Sequence, residues 1–128
     1  MEIAIIKYNA GNVQSVMYAL DRIGMKYRWT DDENVIQSAD KVIFPGVGEA
    51  STAMAYLREK GLDQLIPTLK QPVLATCIGM QLLCRESEEN NTTCMGVFDI
   101  PVKRFVSSDL KIPHVGWNSI QVQGENAL

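Results

Sequence analysis

The chain has 128 residues, of which 46% are hydrophobic and 21% are charged, and its formal net charge at pH 7 is −3. This composition is ordinary for a globular protein, so we expect residues 1–128 to form one domain with its own core, or part of one. The chain has no cluster of Lys and Arg to bind a phosphate backbone, which argues against a nucleic-acid partner.

The cysteines and the apolar segments indicate a cytoplasmic protein. The chain has an odd number of cysteines, Cys77, Cys84 and Cys94, and they lack the C-x-x-C spacing of metal sites. Both features favour a reducing compartment. The first apolar run is too short and too acidic for a signal peptide, and no segment approaches the length of a membrane span. We therefore expect no membrane contact, no metal and no cofactor.

The first third of the chain alternates between strand and helix patterns. Five elements are predicted, at residues 2–7, 13–23, 26–29, 32–38 and 40–44. The first is an apolar run typical of a strand buried on both faces, and the second has apolar residues spaced by three and four and is ended by Gly24. This order predicts an α/β fold with a mostly parallel sheet, helices on both faces and ligands at the carboxyl ends of the strands.

A glycine-rich loop, Pro45-Gly46-Val47-Gly48, follows the third predicted strand. Two glycines around one β-branched residue allow the backbone to approach a ligand and point N–H groups at it. A plain turn explains the same residues, and the loop alone favours that explanation. Two core-facing helices are predicted next, at residues 50–57 with Gly61 as the cap and at residues 62–69.

Residues 72–83 have the pattern of a nucleophile elbow. An apolar run predicts a buried strand, and an apolar helical pattern begins after a turn centred on Cys77. The residues two before and two after a nucleophile in such a turn must be small, and here they are Ala75 and Gly79. Free N–H groups at a helix start favour a thiolate. Cys77 is therefore a candidate nucleophile, and a small buried hydrophobe is the alternative.

A thiolate nucleophile needs an oxyanion hole and a base. The N–H of Ile78 is one candidate donor because it follows the nucleophile, and the loop at residues 45–48 is the candidate source of the second. The base is harder to assign. The only histidine, His114, lies in Pro-His-Val-Gly-Trp-Asn, which has the pattern of a packed structural turn.

The sequence pattern changes after residue 94. Polar and apolar residues alternate at residues 98–105 and 119–122, which predicts two half-buried antiparallel strands. We interpret this region as a small antiparallel excursion from the main sheet.

Four motifs together resemble the class I (triad) glutamine amidotransferases, and most closely the glutaminase subunits of imidazole glycerol phosphate synthases. In chain order they are Gly11-Asn12 with Ser15-Val16 and Ala19-Leu20, Phe44-Pro45-Gly46-Val47-Gly48, the run from Cys77 to Leu83 with Ser87-Glu88-Glu89, and the run from Pro113 to Asn118. The elbow alone fits any class I glutaminase, whereas the four together are specific to this subunit. The resemblance spans nearly the whole chain and implies the class I amidotransferase fold.

The resemblance implies a thioester mechanism. Cys77 would attack the side-chain amide of glutamine, the N–H groups of Val47 and Ile78 would stabilise the oxyanion, and ammonia would leave before water releases glutamate. The residues matched to the glutamine pocket are Gly46, Gly48, Gln81 and Glu89.

The resemblance also implies a partner. Such subunits pass ammonia to a (β/α)8-barrel cyclase subunit, which forms imidazole glycerol phosphate and an aminoimidazole carboxamide ribonucleotide in histidine biosynthesis. A heterodimer is therefore expected, with Asn12, Trp117 and Asn118 near the interface.

The chain departs from the family pattern in two places. Ala75 stands where the family more often has Gly, and no residue after Asn118 matches the family's catalytic His and Glu. We therefore expect that His114 is not the base, that the C-terminal part of the domain is missing and leaves an exposed sheet edge, and that the chain is inactive alone. Another class I glutaminase, such as that of pyridoxal phosphate synthesis, and a non-catalytic docking module remain as alternatives.

Overall fold

A computed structural model describes residues 1–9 and 12–125, so Ala10, residues 126–128 and Gly11, the first residue of the first motif, lie outside the described part. The main sheet has four strands, which are β1 (Glu2–Ile6), β2 (Lys26–Thr30), β3 (Lys41–Phe44) and β4 (Val73–Ala75). All are parallel, and their order across the sheet is β2-β1-β3-β4. The predicted parallel α/β sheet is confirmed.

Helices cover both faces of this sheet, as predicted. They are α1 (Gln14–Arg22), α2 (Glu33–Ser38), α3 (Ala50–Glu59), α4 (Leu62–Leu65) and α5 (Ile78–Leu82). Side chains of the central strand β1 alternate between the faces: Ile3 and Ile5 pack with Leu20 of α1, while Ala4 and Ile6 belong to the larger cluster that includes α3. Because both of its faces are covered, β1 is the continuous apolar run that the sequence shows.

Two side-chain carboxylates cap helices next to the sheet. Asp32 accepts hydrogen bonds from the N–H groups of Asn34 and Val35 at the start of α2, at 2.8 and 3.2 Å. Glu49 does the same for Ser51 at the start of α3, at 2.8 Å. Such caps satisfy N–H groups that have no partner within the helix and so fix where each helix begins.

A second, smaller sheet contains β5 (Cys84–Ser87), β6 (Thr92–Thr93) and β7 (Phe98–Val102) in the order β6-β5-β7. The prediction of a purely antiparallel excursion is wrong, because β6 is antiparallel to β5 but β7 is parallel to it. The strand predicted at residues 98–105 ends at Val102.

The prediction of a strand at residues 119–122 is also wrong, because no strand is assigned there and Ile120 and Val122 are exposed. Alternating side chains stabilise a strand only when a neighbouring strand pairs with it, and none does so among the described residues.

Strand β4 is an edge strand and not the buried strand that its apolar sequence predicts. It pairs with β3 on one side, and no strand in the described ranges pairs with its other side. Val73 and Leu74 are consequently 36% and 47% exposed. The expected exposed sheet edge is therefore present in the described part of the chain.

No helix within residues 1–9 and 12–125 combines the length and the apolar character that crossing a membrane requires.

The open edge of β4 predicts concentration-dependent association. Replacing Leu74 with Lys places a charge on the free strand edge, which disfavours pairing with another strand. We expect Leu74→Lys to reduce self-association in sedimentation velocity while leaving the thermal unfolding midpoint close to that of the parent chain. Tyr18→Lys is the matched control, since Tyr18 is 57% exposed but lies on α1. Equal association of the Leu74→Lys and parent chains would contradict the prediction.

Candidate active site

Cys77 occupies a sharp strand-to-helix turn, as the elbow pattern predicts. Strand β4 ends at Ala75, α5 begins at Ile78, and Cys77 between them has φ 51° and ψ −122°. A positive φ is unfavourable for a residue with a side chain and costs on the order of 1–3 kcal/mol, so the surrounding contacts must hold it. The side chain of Cys77 is exposed at the carboxyl edge of the sheet.

Two glycines provide the close contact that holds this turn. A Cβ on Gly79 would overlap the carbonyl oxygen of Phe44 and lie 2.8 Å from that of Pro45, and a Cβ on Gly46 would lie 2.5 Å from the nitrogen of Gly79. Both distances are too short for a side chain. The N–H of Thr76 also donates to the carbonyl of Phe44, at 3.1 Å. The loop after β3 and the start of α5 are therefore in direct backbone contact.

This contact brings together the two segments that carry the predicted oxyanion donors. Val47 follows Gly46 on the loop and is 40% exposed, while Ile78 precedes Gly79 on α5 and is buried. The oxyanion roles of the Val47 and Ile78 N–H groups remain predictions.

Gln81 lies one helical turn after Cys77. Its backbone N–H donates to the carbonyl of Cys77 at 3.1 Å, and its side chain is partly buried. Residues four apart share one face of a helix, so Gln81 and the end of the elbow face the same side of α5.

Glu89 reaches the site from the second sheet. It opens a short 3-10 helix, Glu89–Asn91, and its Oε2 accepts the N–H of Ala50, the first residue of α3, at 2.8 Å. Gly48, at φ 120°, precedes Ala50 by two residues. The predicted pocket residues Gly48 and Glu89 are thus close together, although both retain only predicted roles in binding.

The neighbouring carboxylate, Glu49, strengthens this connection. Asn90 donates from its side-chain amide to Glu49 at 2.9 Å, and the backbone and hydroxyl of Ser51 together with the backbone of Thr52 also donate to this carboxylate. These hydrogen bonds favour the ionised form and lower the pKa of Glu49 to about 2.

Tyr8 is a site residue that no motif in the sequence predicts. It follows β1, is 5% exposed, and packs its ring on Phe44 with the centroids 5.4 Å apart. Its hydroxyl donates to the carbonyl of Pro45 at the start of the glycine-rich loop. Burial raises the pKa of Tyr8, and the negative charge of Cys77 adds to this effect. Its position directly after a buried strand, at the edge where ligands bind, was the available signal.

The Pro-His-Val-Gly-Trp-Asn segment is exposed and is not the packed turn that its sequence predicts. It lies within residues 103–125, where no helix or strand is assigned, and the side chains of Val115 and Trp117 are almost fully exposed. His114 lines a shallow depression with Lys111, Pro113 and Val115. Asn118 is also exposed.

Asn12, the third predicted interface residue, lies before α1 at φ 55° and is exposed. Its carbonyl accepts a hydrogen bond from the hydroxyl of Ser15, at 3.2 Å. It follows β1 and therefore lies toward the same edge of the sheet as the elbow.

Comparisons with known proteins agree on a family. Residues 8–108 match the SNO glutamine amidotransferase family. The chain is 57% identical over 122 residues to imidazole glycerol phosphate synthase subunit HisH of Bacteroides fragilis, and 41% identical over 128 residues to the subunit of that name from Idiomarina loihiensis. These matches cover 94% and 100% of this chain but 62% and 65% of the two relatives, so the chain spans somewhat less than two thirds of their length.

The contact at Gly79 predicts a large effect of a single methyl group. Gly79→Ala places a Cβ against the carbonyls of Phe44 and Pro45, and we expect a loss of unfolding free energy of about 1–3 kcal/mol in urea titrations. Met80→Ala is the control, because Met80 is the next residue of α5 and is 52% exposed. Equal stability of the two variants would contradict the contact.

The Glu49 cap predicts a pH-dependent contribution to stability. Because the pKa falls from 4.5 to about 2 on folding, the stabilisation is complete above the unfolded value and disappears as pH falls toward about 2. We expect Glu49→Gln to lower the urea midpoint at neutral pH and to match the parent chain near pH 2. The control, Glu59→Gln, changes a carboxylate at the other end of α3. If the urea midpoint of Glu49→Gln lay below that of the parent chain by the same amount at every pH, the lowered pKa of Glu49 would not explain its contribution to stability.

Proposed function

Because this chain belongs to the SNO glutamine amidotransferase family, we propose that it carries the nucleophile half of a glutaminase site, which releases ammonia from glutamine through a thioester on Cys77. The observation that carries the proposal is the elbow itself. Cys77 is exposed at a strained φ of 51°, and its helix is in backbone contact with the glycine-rich loop that contains Val47. A buried structural cysteine would need neither feature.

In this reaction the Cys77 thiolate attacks the carbonyl carbon of the glutamine side-chain amide. The carbonyl electrons move to oxygen, and the N–H groups of Val47 and Ile78 stabilise the resulting oxyanion. The oxyanion collapses, the C–N bond breaks, and the nitrogen takes up the proton that the Cys77 thiol has lost and leaves as ammonia. Water then attacks the thioester, so that glutamate leaves and the thiol is restored. One oxyanion donor contributes about 2.7–4 kcal/mol to such a transition state.

The residues around the elbow suit the recognition of an amino acid. Gln81 offers an amide that donates and accepts, and the Glu89 carboxylate can bind an α-ammonium group. Gly46 and Gly48 leave room for the substrate beside the loop backbone. The hydrogen bond from Ala50 to Glu89 supports this role, because it anchors the carboxylate at the start of α3 while leaving one oxygen for a substrate.

We further propose that the isolated chain does not turn over glutamine. Its only histidine, His114, lies on the exposed segment 103–125, with Lys111, Pro113 and Val115 as the residues around it. A thioester mechanism needs a group that moves the nucleophile's proton and later activates water. The chain alone is therefore expected to react at Cys77 without catalytic turnover.

We propose a cyclase subunit with a (β/α)8 barrel as the partner, in a cytoplasmic heterodimer that makes imidazole glycerol phosphate and an aminoimidazole carboxamide ribonucleotide for histidine biosynthesis. The names of the relatives support this proposal over a glutaminase of pyridoxal phosphate synthesis. Asn12, Trp117 and Asn118 are the proposed contacts. All three are exposed, as interface residues of an unbound subunit must be.

The proposal predicts selective labelling of one cysteine. A chloroketone analogue of glutamine carries a ketone in place of the amide, so it should alkylate Cys77 faster than the partly exposed Cys84 or the buried Cys94. Intact mass and peptide mapping of the native chain measure this. Glutamine should slow the labelling by competition, and Cys77→Ser should abolish it.

Cys84→Ser is the control and should label like the parent chain. Equal labelling of all three cysteines in the native chain, without protection by glutamine, would overturn the proposal.

A further inference from the structure

Apart from the contact between Gly46 and Gly79, the loop around Val47 offers little to fix the peptide that presents the Val47 N–H. Glycines flank Val47 on both sides, and a glycine backbone explores more conformations than any other. The side chain of Val47 is 40% exposed, so its own packing provides a weak anchor. An oxyanion donor must nevertheless be fixed before the reaction, because a donor that has to reorient contributes much less. The loop therefore needs a second anchor from outside itself.

Tyr8 is in the position to supply that anchor. Its hydroxyl donates to the carbonyl of Pro45, two residues before Val47, and a Cβ on Gly46 would lie only 2.7 Å from the hydroxyl oxygen. The hydroxyl thus lies directly beneath the backbone of the loop. Its ring is buried against Phe44, and it follows β1, the central strand of the main sheet. A rigid strand and a buried ring leave the hydroxyl few alternative positions.

The surroundings make this hydrogen bond costly to lose. Tyr8 is 5% exposed, so water cannot readily replace the hydroxyl at the Pro45 carbonyl. The rise in the pKa of Tyr8 has burial as its main cause, which keeps the hydroxyl protonated and able to donate. A negative charge on Cys77 raises the pKa of Tyr8 further.

We propose that Tyr8 is a positioning residue for the oxyanion hole, whose hydroxyl holds the Pro45 carbonyl and thereby fixes the Gly46–Val47 peptide beside Cys77. The inference rests on the proposed function, since it deepens the role of the same site. Tyr8 acts through the loop and does not itself touch the reacting atoms.

The test compares two electrophiles at Cys77 in the 128-residue chain. With the chloroketone analogue of glutamine, the Cys77 thiolate first adds to the ketone carbon, and the carbonyl electrons move to the oxygen, which occupies the proposed oxyanion hole. The sulfur then bonds to the neighbouring carbon while chloride leaves with the electrons of the C–Cl bond, and the carbonyl re-forms as the first S–C bond breaks. Iodoacetamide forms the same type of bond with loss of iodide, but it reacts at a saturated carbon and develops no oxyanion. The ratio of the two rates therefore reports on the hole and not on the exposure of the thiol.

Tyr8→Phe removes the hydroxyl and keeps the ring. Because losing an oxyanion donor outright costs about 100- to 1000-fold, we expect a misplaced donor to slow maximal chloroketone labelling by roughly 10-fold or more. The chloroketone concentration at half-maximal rate should stay near that of the parent chain, since Gln81 and Glu89 are unchanged. The iodoacetamide rate should change by less than about 2-fold.

Two controls separate positioning from stability. Tyr56→Phe removes a hydroxyl that donates to Asp31, and Phe44→Leu loosens the packing around Tyr8 while leaving its hydroxyl in place. Neither should change the rate ratio by as much as Tyr8→Phe does. All chains are measured in sucrose, which favours the folded state, and each rate is normalised to the folded fraction from circular dichroism.

The outcomes separate the two proposals. If the parent chain shows no preference of the chloroketone for Cys77 over Cys84, the proposed function itself fails. If the parent chain is selective and Tyr8→Phe retains its rate ratio, only the role of Tyr8 is overturned. An equal loss in Tyr8→Phe and Phe44→Leu would likewise overturn it, because that result would assign the effect to packing.

Discussion

The contact between the backbone of Gly79 and the carbonyls of Phe44 and Pro45 determines the position of Cys77. Strands β3 and β4 pair in register, with Phe44 opposite Ala75, so both end at the same level of the sheet. The loop and the helix that follow them must then share a small space, which two glycines make available. The strained conformation of Cys77 is maintained because both arms of its turn are held in this way.

The second sheet leads the chain back to this site. Strand β5 begins two residues after α5, and the short helix Glu89–Asn91 carries the Glu89 carboxylate to the N-terminus of α3. Asn90 and the Glu49 cap strengthen the same junction. The nucleophile, the glycine-rich loop and the pocket carboxylate thus come from three different segments, which meet at the carboxyl edge of a parallel sheet.

Sequence patterns predicted the parts of the fold that are marked by a run or a regular spacing of apolar residues, or by small residues at fixed positions around a turn. The strands at β1 to β3, the flanking helices and the turn at Cys77 are of this kind. Strands β5 and β6 were missed because Cys-Arg-Glu-Ser and Thr-Thr carry no apolar alternation, and the pattern at residues 119–122 misled because pairing depends on a partner that no local pattern encodes. The exposure of Leu74 and the contact of Tyr8 with Pro45 depend on neighbours distant in sequence, which one sequence does not reveal.

The oxyanion hole is tested most directly by a crystal structure of the chain with the chloroketone analogue of glutamine attached to Cys77. We expect the ketone oxygen to lie about 2.7–3.1 Å from the nitrogens of both Val47 and Ile78, with the amino-acid end between Gln81 and Glu89. A ketone oxygen directed into solvent, with neither N–H within hydrogen-bond distance, would contradict the claim that the elbow and the loop form an oxyanion hole.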